Sequence, residues 1–248
     1  MAEVGLQLYT VRNDLEKDFE GTMARVAEIG YGGVEFAGYG DRSSLDIARV
    51  LKETGLRPVS AHVPLDQLES DLEACVEFNL EVGNRFLVVP SLPEDRRNEK
   101  RKWKAAIRSM NSIAEELKDY GLTLCYHNHD YEMQEYDGQT GFEILLDDSE
   151  PEILALEMDV YWIQKSGANP AEYILRAAGR CPLVHLKDLD KNGGFVEVGE
   201  GELDLDSISA AAEGVGAEWF FVEQDECSKP PLESAKISYE NLKKKGLV

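Results

Sequence analysis

The sequence predicts an eight-stranded parallel barrel surrounded by helices, a (β/α)8 or TIM barrel. Short apolar runs alternate with longer amphipathic segments from one end of the chain to the other, which produces eight βα rounds with short connections. The length of 248 residues matches this architecture, because such a barrel usually takes about 250 residues as one unit. No linker or composition shift divides the chain, so we expect a single domain over residues 1–248.

The predicted strands are short apolar runs bounded by turn residues, and the predicted helices show apolar residues at helical spacing. The strands cover residues 4–9, 33–36, 57–63, 85–89, 122–127, 153–159, 183–187 and 218–224. The helices cover residues 15–29, 45–53, 65–82, 99–120, 141–148, 170–178, 205–213 and 232–245. Glycine follows four of these helices, as expected where a helix ends in a left-handed conformation: Gly30, Gly55, Gly83 and Gly121.

Alternation along the predicted strands separates large aliphatic side chains from small or polar ones. In the sixth strand Leu156 points one way, and Glu157 and Asp159 point the other. In the seventh, His185 and Lys187 share the polar side. Since the aliphatic side packs under the helices, the polar side faces the barrel interior. Its most polar residues lie at the carboxyl ends of the strands, where TIM-barrel enzymes place catalytic groups.

Histidines and acids concentrate at these strand ends. The four histidines are His62, His127, His129 and His185, and the acids are Glu35, Asp159, Glu223 and Asp225. Several carboxylates in a barrel mouth are unfavourable unless a cation neutralises them. Imidazole and carboxylate together suit Mn²⁺, Co²⁺, Zn²⁺ or Fe²⁺. We therefore predict one divalent metal ion at the mouth. An ion pair with Lys187 or Arg12 is the alternative for Glu35 and Asp225.

Several other residues keep two interpretations. Lys187 either binds a substrate oxygen or balances the acids, and Trp162 either forms a wall against a sugar or packs in the core. Glu132 lies in the loop after the fifth strand. Residues 197–202 (EVGEGE) interleave glycines with acids. Because a phosphate site needs free N–H groups without competing anions, this segment is expected to form an acidic hairpin over the mouth instead.

Composition excludes some functional classes. The formal net charge of −22 disfavours nucleic acid and anionic substrates and favours neutral ones. No apolar run reaches the roughly 20 residues of a membrane span, and no signal peptide is predicted. Cys75, Cys125, Cys181 and Cys227 are far apart and show no CxxC pairing. Free thiols of this kind indicate a cytoplasmic protein.

Several motifs resemble the xylose-isomerase-like TIM-barrel superfamily of sugar isomerases and epimerases, including the sugar phosphate isomerase/epimerase family. They are residues 5–10 (GLQLYT), 33–36 (GVEF), 60–62 (SAH), 126–132 (YHNHDYE), 157–162 (EMDVYW), 185–188 (HLKD), 199–201 (GEG) and 222–225 (VEQD). The resemblance runs over nearly the whole chain. It is more specific for the superfamily than for the substrate.

The resemblance implies one metal ion (Mn, Co, Zn, Fe or Mg) held by residues of the fifth to eighth strands. Three family ligands match Asp159, His185 and Glu223. His127 stands where the family has its first glutamate, so the fourth ligand is open between His127, His129 and Glu132. Glu132 also matches most nearly the second catalytic glutamate of the epimerases.

The activity implied is proton transfer next to the carbonyl of a neutral sugar or keto-polyol, with Glu132 and Glu223 as bases. Lys187, His62, His129, Trp162 and Glu35 are then expected to contact the substrate. A lyase or dehydratase acting on a keto sugar or inosose is the alternative, because its reaction begins with the same proton removal. A DNA-repair endonuclease is a remote alternative, and a non-enzymatic sugar-binding barrel is a third. The oligomeric state stays open.

Overall fold

The barrel predicted from the sequence is present in the computed structural model, which describes residues 2–248. Within these residues the barrel strands are β1 Glu3–Gln7, β2 Gly33–Phe36, β3 Arg57–His62, β4 Phe86–Val89, β5 Thr123–His127, β6 Leu154–Asp159, β7 Leu183–Leu186 and β8 Trp219–Val222. These eight parallel strands close in the order β1-β8-β7-β6-β5-β4-β3-β2. The expectation of a TIM barrel is confirmed.

The helices surround the barrel, and each long one follows a strand in chain order. The α-helices are Arg12–Lys17, Phe19–Ile29, Ser44–Thr54, Leu65–Ser70, Leu72–Val82, Glu94–Arg97, Lys100–Lys118, Gly141–Asp148, Val160–Lys165, Pro170–Arg176, Leu205–Val215 and Pro231–Lys244. Two 3₁₀ turns cover Leu8–Val11 and Tyr131–Met133. Among the described residues, no helix is long and apolar enough to cross a bilayer.

The faces assigned to the strands from sequence are correct. Leu124, Leu156 and Val184 belong to the large apolar core between strands and helices. Cys125 and Phe221 belong to a smaller apolar cluster that fills the lower barrel interior. This cluster closes the amino-terminal end of the barrel, so the polar inward residues can meet only at the carboxyl end.

Some predicted elements are divided or shorter than expected. The helix expected over 65–82 breaks at Asp71, which has non-helical backbone (φ −153°, ψ 60°), so two helices form. The first strand ends at Gln7, because the Gln7 side chain accepts the N–H of Tyr9 and starts a 3₁₀ turn. The short helices Glu94–Arg97 and Val160–Lys165 lie in segments with no predicted helix.

The acidic hairpin expected over residues 197–202 is wrong in its position. The two-stranded hairpin that forms pairs Asp188–Leu189 with Phe195–Val196. The following turn folds around the Asp188 carboxylate, which accepts the N–H groups of Gly199 (2.9 Å), Gly201 (3.2 Å) and Leu203 (3.2 Å). These N–H groups are therefore engaged within the protein and are not free to bind an anion.

All four cysteines of the described chain are free. Cys75, Cys125 and Cys181 are buried, and Cys227 is half-buried. The expectation of unpaired thiols is thus confirmed for these residues.

The Asp188 turn can be tested by Asp188→Asn, which keeps the shape but removes one charged acceptor oxygen. We expect the free energy of unfolding to fall by about 1–3 kcal/mol, since buried N–H groups lose a charged partner. Urea denaturation monitored by circular dichroism measures the change. Asp190→Asn is the matched control, because half-buried Asp190 also accepts two backbone N–H groups, but in exposed hydrogen bonds that water can replace. Equal losses in both variants would contradict the special role of Asp188.

Candidate active site

A cavity of about 240 Å³ opens at the carboxyl end of the barrel. Five residues predicted from sequence to form the site line it. Its lining residues are Tyr9, Ala37, His62, Pro90, Ser91, His127, His129, Lys187, Glu223 and Asp225. The cavity lies where catalytic groups of TIM barrels usually lie.

Asp159, His185 and Glu223 come together at this mouth. One potential ligand atom from each residue lies within 4.8 Å of the other two. Strand register explains the meeting, since Asp159 at the end of β6 is paired with His185 in β7. Glu223 follows β8 two residues after Phe221, the register partner of His185. Three adjacent strands with inward parity therefore deliver the three side chains to one point.

The two oxygens of Asp159 differ in their contacts. Its Oδ1 accepts the N–H of Tyr161 (2.9 Å) at the start of the helix Val160–Lys165. Its Oδ2 is buried and accepts no hydrogen bond among the described residues, although Lys187 Nζ lies 3.3 Å away. Burial raises the pKa of Asp159 despite the nearby Lys187 charge. A buried carboxylate oxygen without a hydrogen bond, beside an imidazole and a second carboxylate, fits a divalent metal ion.

Lys187 is the fixed cation of the mouth. Its Nζ lies 3.3 Å from Asp159, 3.0 Å from Glu223 and 2.9 Å from Asp225. Burial would lower the pKa of Lys187, but the three carboxylates outweigh it and raise the pKa. Burial would raise the pKa of Glu223, and the Lys187 charge lowers it instead. At neutral pH, Lys187 is therefore an ammonium and Glu223 a carboxylate.

An ion pair with Lys187 or Arg12 was the alternative for Glu35 and Asp225, and it forms at Asp225 only. Asp225 pairs with Lys187, while Arg12 donates to the backbone carbonyl of Asp225 (3.0 Å). Glu35 pairs with neither cation. Its Oε1 accepts from the Gln7 amide (2.6 Å) and lies 2.7 Å from His185 Nε2, beneath the cavity rather than in its wall.

Glu157 is a buried residue of the site that sequence reasoning did not select. Its Oε2 lies 3.0 Å from His62 Nε2, 3.0 Å from His127 Nδ1 and 3.2 Å from His185 Nε2. These four residues also provide ligand atoms within 4.8 Å of one another. The inward parity of Glu157, two residues before Asp159, was the signal that could have identified it.

His127 belongs mainly to the group formed by Glu157 and the histidines around it, which we call the deeper group. Its Nδ1 faces Glu157, and its Nε2 lies 3.6 Å from Asp159 Oδ2. The mutual 4.8 Å group of Asp159, His185 and Glu223 does not include it. His127, one of the three candidates for the fourth ligand, therefore lies next to Asp159, one of the three residues of that group.

Charges around the deeper group are nearly balanced. Burial lowers the pKa of His62 and His185, but Glu35 and Glu157 outweigh it, raising the pKa of His62 to about 10 and that of His185 as well. Five carboxylates (Glu35, Glu157, Asp159, Glu223 and Asp225) share the mouth and this deeper group with three basic groups (Lys187, His62 and His185). The excess of acids favours a divalent cation at this position.

Glu132 lies apart from the mouth. It is fully buried, its Oε1 accepts from the Tyr126 hydroxyl (2.6 Å), and its Oε2 accepts the N–H of His129 (2.8 Å). Tyr126 points toward the helices, so this contact lies behind the barrel wall. Burial raises the pKa of Glu132 to about 7. Its role as a base stays a prediction from sequence, and its position gives that role no support.

His129 and Trp162 lie side by side at the rim. Their ring centroids are 5.2 Å apart, and Lys187 Nζ is 5.3 Å from the Trp162 ring. His129 Nδ1 and Trp162 Nε1 are buried without hydrogen-bond partners among the described residues. Burial lowers the pKa of His129 to about 3, so its ring is neutral. Two unpartnered polar atoms beside the cavity suit contacts with substrate hydroxyls.

Fold and site together define a TIM barrel with a buried cluster of histidines and carboxylates that can hold a metal ion. Residues 23–245 match the family model described as xylose isomerase-like TIM barrel. The chain therefore belongs to the xylose isomerase-like TIM barrel family.

Two curated proteins illustrate the similarity within this family. The rhizopine catabolism protein MocC of Rhizobium meliloti is 26% identical, over 90% of this chain and 80% of its own length. The inosose dehydratase of Clostridium botulinum is 23% identical, over 94% of this chain and 91% of its own.

Solved structures share the fold. A sugar phosphate isomerase/epimerase from Parabacteroides distasonis superposes with a TM-score of 0.88 at 23% identity, covering 97% of this chain and 93% of its own. The IolI protein, solved with a zinc atom, superposes with a TM-score of 0.73 at 16% identity, covering 99% and 96%. Enzymes with this barrel thus include isomerases, epimerases and dehydratases.

The buried Glu132 makes a prediction about pH. A folded-state pKa of about 7, above the ordinary value of 4.5, means that the folded protein binds this proton more tightly than the unfolded chain. The corresponding stabilisation, roughly 3 kcal/mol at most, is present below pH 4.5 and is lost as the pH rises through 7. Glu132→Gln cannot ionise, so it should not show this part of the fall in the free energy of unfolding as the pH rises.

Urea denaturation at pH 5 and pH 8 measures the effect on the wild type and the variant. Between these two pH values, the variant should lose less stability than the wild type. Glu152→Gln serves as control, because Glu152 is exposed, and should behave as the wild type. An unchanged pH dependence in Glu132→Gln would show that Glu132 ionises normally.

Proposed function

We propose that this protein is a metal-dependent dehydratase that removes water from a neutral keto-polyol. The observation that carries the proposal is the arrangement of acid and base at the mouth. The carboxylates lining the cavity, Glu223 and Asp225, both follow β8 and so lie on one wall. Lys187, an ammonium group, lies 3.0 Å from Glu223.

Glu223 acts as the base in this proposal. It takes the proton from the carbon next to the carbonyl, and the electron pair of that C–H bond moves toward the carbonyl oxygen. The hydroxyl on the next carbon then leaves as water, taking a proton from Lys187 as a new C=C bond forms. The proton held by Glu223 returns to Lys187 across their short contact, which restores both groups.

Asp159, His185 and Glu223 are the residues proposed to hold the metal ion, with His127 beside Asp159 as the fourth candidate. A divalent cation bound there supplies Lewis acidity toward the carbonyl oxygen and an adjacent hydroxyl of the substrate. Asp159 is oriented for this task by the helix that its other oxygen caps.

Charge and size support a small neutral substrate. The net charge of −22 and the excess of carboxylates at the mouth repel anions. A cavity of about 240 Å³ lies just below the ~300–1,000 Å³ common for drug-sized ligands, which suits one sugar or cyclitol ring. We propose that His62, His129 and Trp162 contact its hydroxyl groups. The free thiols are compatible with a cytoplasmic location.

The names of relatives support the same choice. Inosose dehydratases are similar to this chain over nearly their whole length, and an inosose is a neutral cyclic keto-polyol. An isomerase or epimerase is the second candidate, supported by the fold shared with the P. distasonis structure. Epimerisation needs a second proton donor on the opposite face, and on that side the cavity offers His62 or His129 rather than a carboxylate. A DNA-repair endonuclease remains remote because of the acidic charge.

The proposed metal ligands can be tested by metal content. Asp159→Ala and His185→Ala should each abolish stoichiometric binding of added Zn²⁺, measured by mass spectrometry after dialysis, since each removes a ligand atom. Asp190→Ala, a control at a half-buried acid on the adjacent hairpin, should bind one equivalent. Stoichiometric metal in both site variants would place the ion elsewhere.

The reaction can be tested with 2-keto-myo-inositol in D₂O and metal-loaded protein. We expect a product lighter by one water with the ultraviolet absorbance of a conjugated ketone. Glu223→Gln and Lys187→Met should slow its formation by about 10²–10⁴-fold. A product that has lost no water and has gained one carbon-bound deuterium would identify the epimerase candidate instead. Neither product, across a panel of neutral keto-polyols, would overturn proton removal as the function.

A further inference from the structure

We propose that Glu157, assisted by Glu35, is the positioning carboxylate that decides which nitrogen of His185 and His127 faces the metal-binding mouth. This inference rests on the proposed metal site of Asp159, His185 and Glu223. It assigns a role to a buried acid that the proposed reaction does not use.

The first observation is the convergence of three imidazoles on one oxygen. Glu157 Oε2 lies 3.0–3.2 Å from nitrogens of His62, His127 and His185. The contacts with His62 and His127 are hydrogen bonds. His185 Nε2 forms its hydrogen bond with Glu35 (2.7 Å) and lies within ionic distance of Glu157. Glu157 and Glu35 together therefore connect the three imidazoles beneath the mouth.

The second observation concerns the remaining nitrogen of each ring. His185 directs Nε2 to Glu157 and Glu35 (3.2 and 2.7 Å), and its Nδ1 lies 3.0 Å from Glu223. His127 directs Nδ1 to Glu157, and its Nε2 lies 3.6 Å from Asp159. Each ring has one nitrogen toward the deep carboxylates and one toward the mouth acids.

An imidazole that binds a metal ion is neutral, so one nitrogen carries a proton and the other has a lone pair. The second proton, which the surrounding carboxylates stabilise on His185, therefore leaves when the ion binds. A carboxylate accepts a hydrogen bond from the nitrogen that carries the proton. Glu157 and Glu35 therefore keep the N–H of each ring on the side away from the mouth. The lone pairs are then directed toward Asp159 and Glu223. Metal-binding histidines commonly depend on such a carboxylate for ring orientation and basicity.

The chain's small number of histidines makes a direct test practical. Only four imidazoles contribute to a two-bond ¹H–¹⁵N spectrum of the zinc-loaded protein, and single His→Gln variants assign them. We expect His185 protonated at Nε2 and His127 at Nδ1. In Glu157→Gln, the protonation pattern of at least one ring should change.

Zinc affinity supplies the second readout, measured by competition with a chelating dye. Glu157→Gln should bind Zn²⁺ about 10–100-fold more weakly, the usual effect of losing an orienting partner. Glu157→Asp retains the charge but moves the carboxylate oxygen away from the histidines, so it should also weaken zinc binding. It replaces Glu157→Gln in this test if that variant does not fold. Glu197→Gln is the matched control, because Glu197 is also buried but pairs with Lys229 and Ser234 outside the barrel interior.

Two results would overturn the inference. In the first, the Glu157 variants keep their zinc affinity and the protonation of their imidazole nitrogens, while Asp159→Ala still loses zinc. This result would remove the positioning role and leave the proposed metal site intact. Complete loss of zinc in both Glu157→Gln and His62→Gln, with binding retained in Asp159→Ala, would show that the deeper group holds the ion. That second result would contradict the proposed metal site as well.

Discussion

The balance of charge inside the barrel mouth is the constraint on which the rest of the site depends. Five carboxylates meet there in a largely buried space, and isolated buried charges are strongly unfavourable. Lys187 balances the outer acids, and His62 and His185 balance the inner ones. The residual negative charge makes a divalent cation a favourable ligand at this position.

Barrel geometry explains how these charges are brought together. Parallel strands with in-register neighbours place residues of equal depth side by side, so Asp159 lies next to His185. The apolar cluster around Phe221 fills the space below. Polar groups therefore accumulate in two layers, with Glu35 and Glu157 beneath and Asp159, Glu223 and Asp225 above. The imidazoles connect these layers.

The two layers divide the chemical work of the proposed function. The upper layer contains the proposed base, Glu223, next to the proposed acid, Lys187, and leaves Asp159 Oδ2 without a hydrogen bond. The lower layer, in our inference, orients the rings that contribute to the upper one. The two carboxylates that line the cavity, Glu223 and Asp225, lie on one wall. This arrangement favours elimination, in which proton removal and departure of water proceed on the same side of the substrate.

The sequence by itself determined the barrel, the faces of its strands and most members of the site. Period-two alternation assigned Asp159, His185 and Lys187 to the interior, and parallel strands must bring their carboxyl ends to one rim. The tertiary structure alone decided which side chains of the site contact one another. It placed Glu132 against Tyr126 behind the wall, joined Glu157 to three histidines and wrapped the glycine turn around Asp188. Parity along a strand gives the direction of a side chain, whereas contacts between side chains from different strands depend on register, loop paths and rotamers that appear only once the barrel has closed.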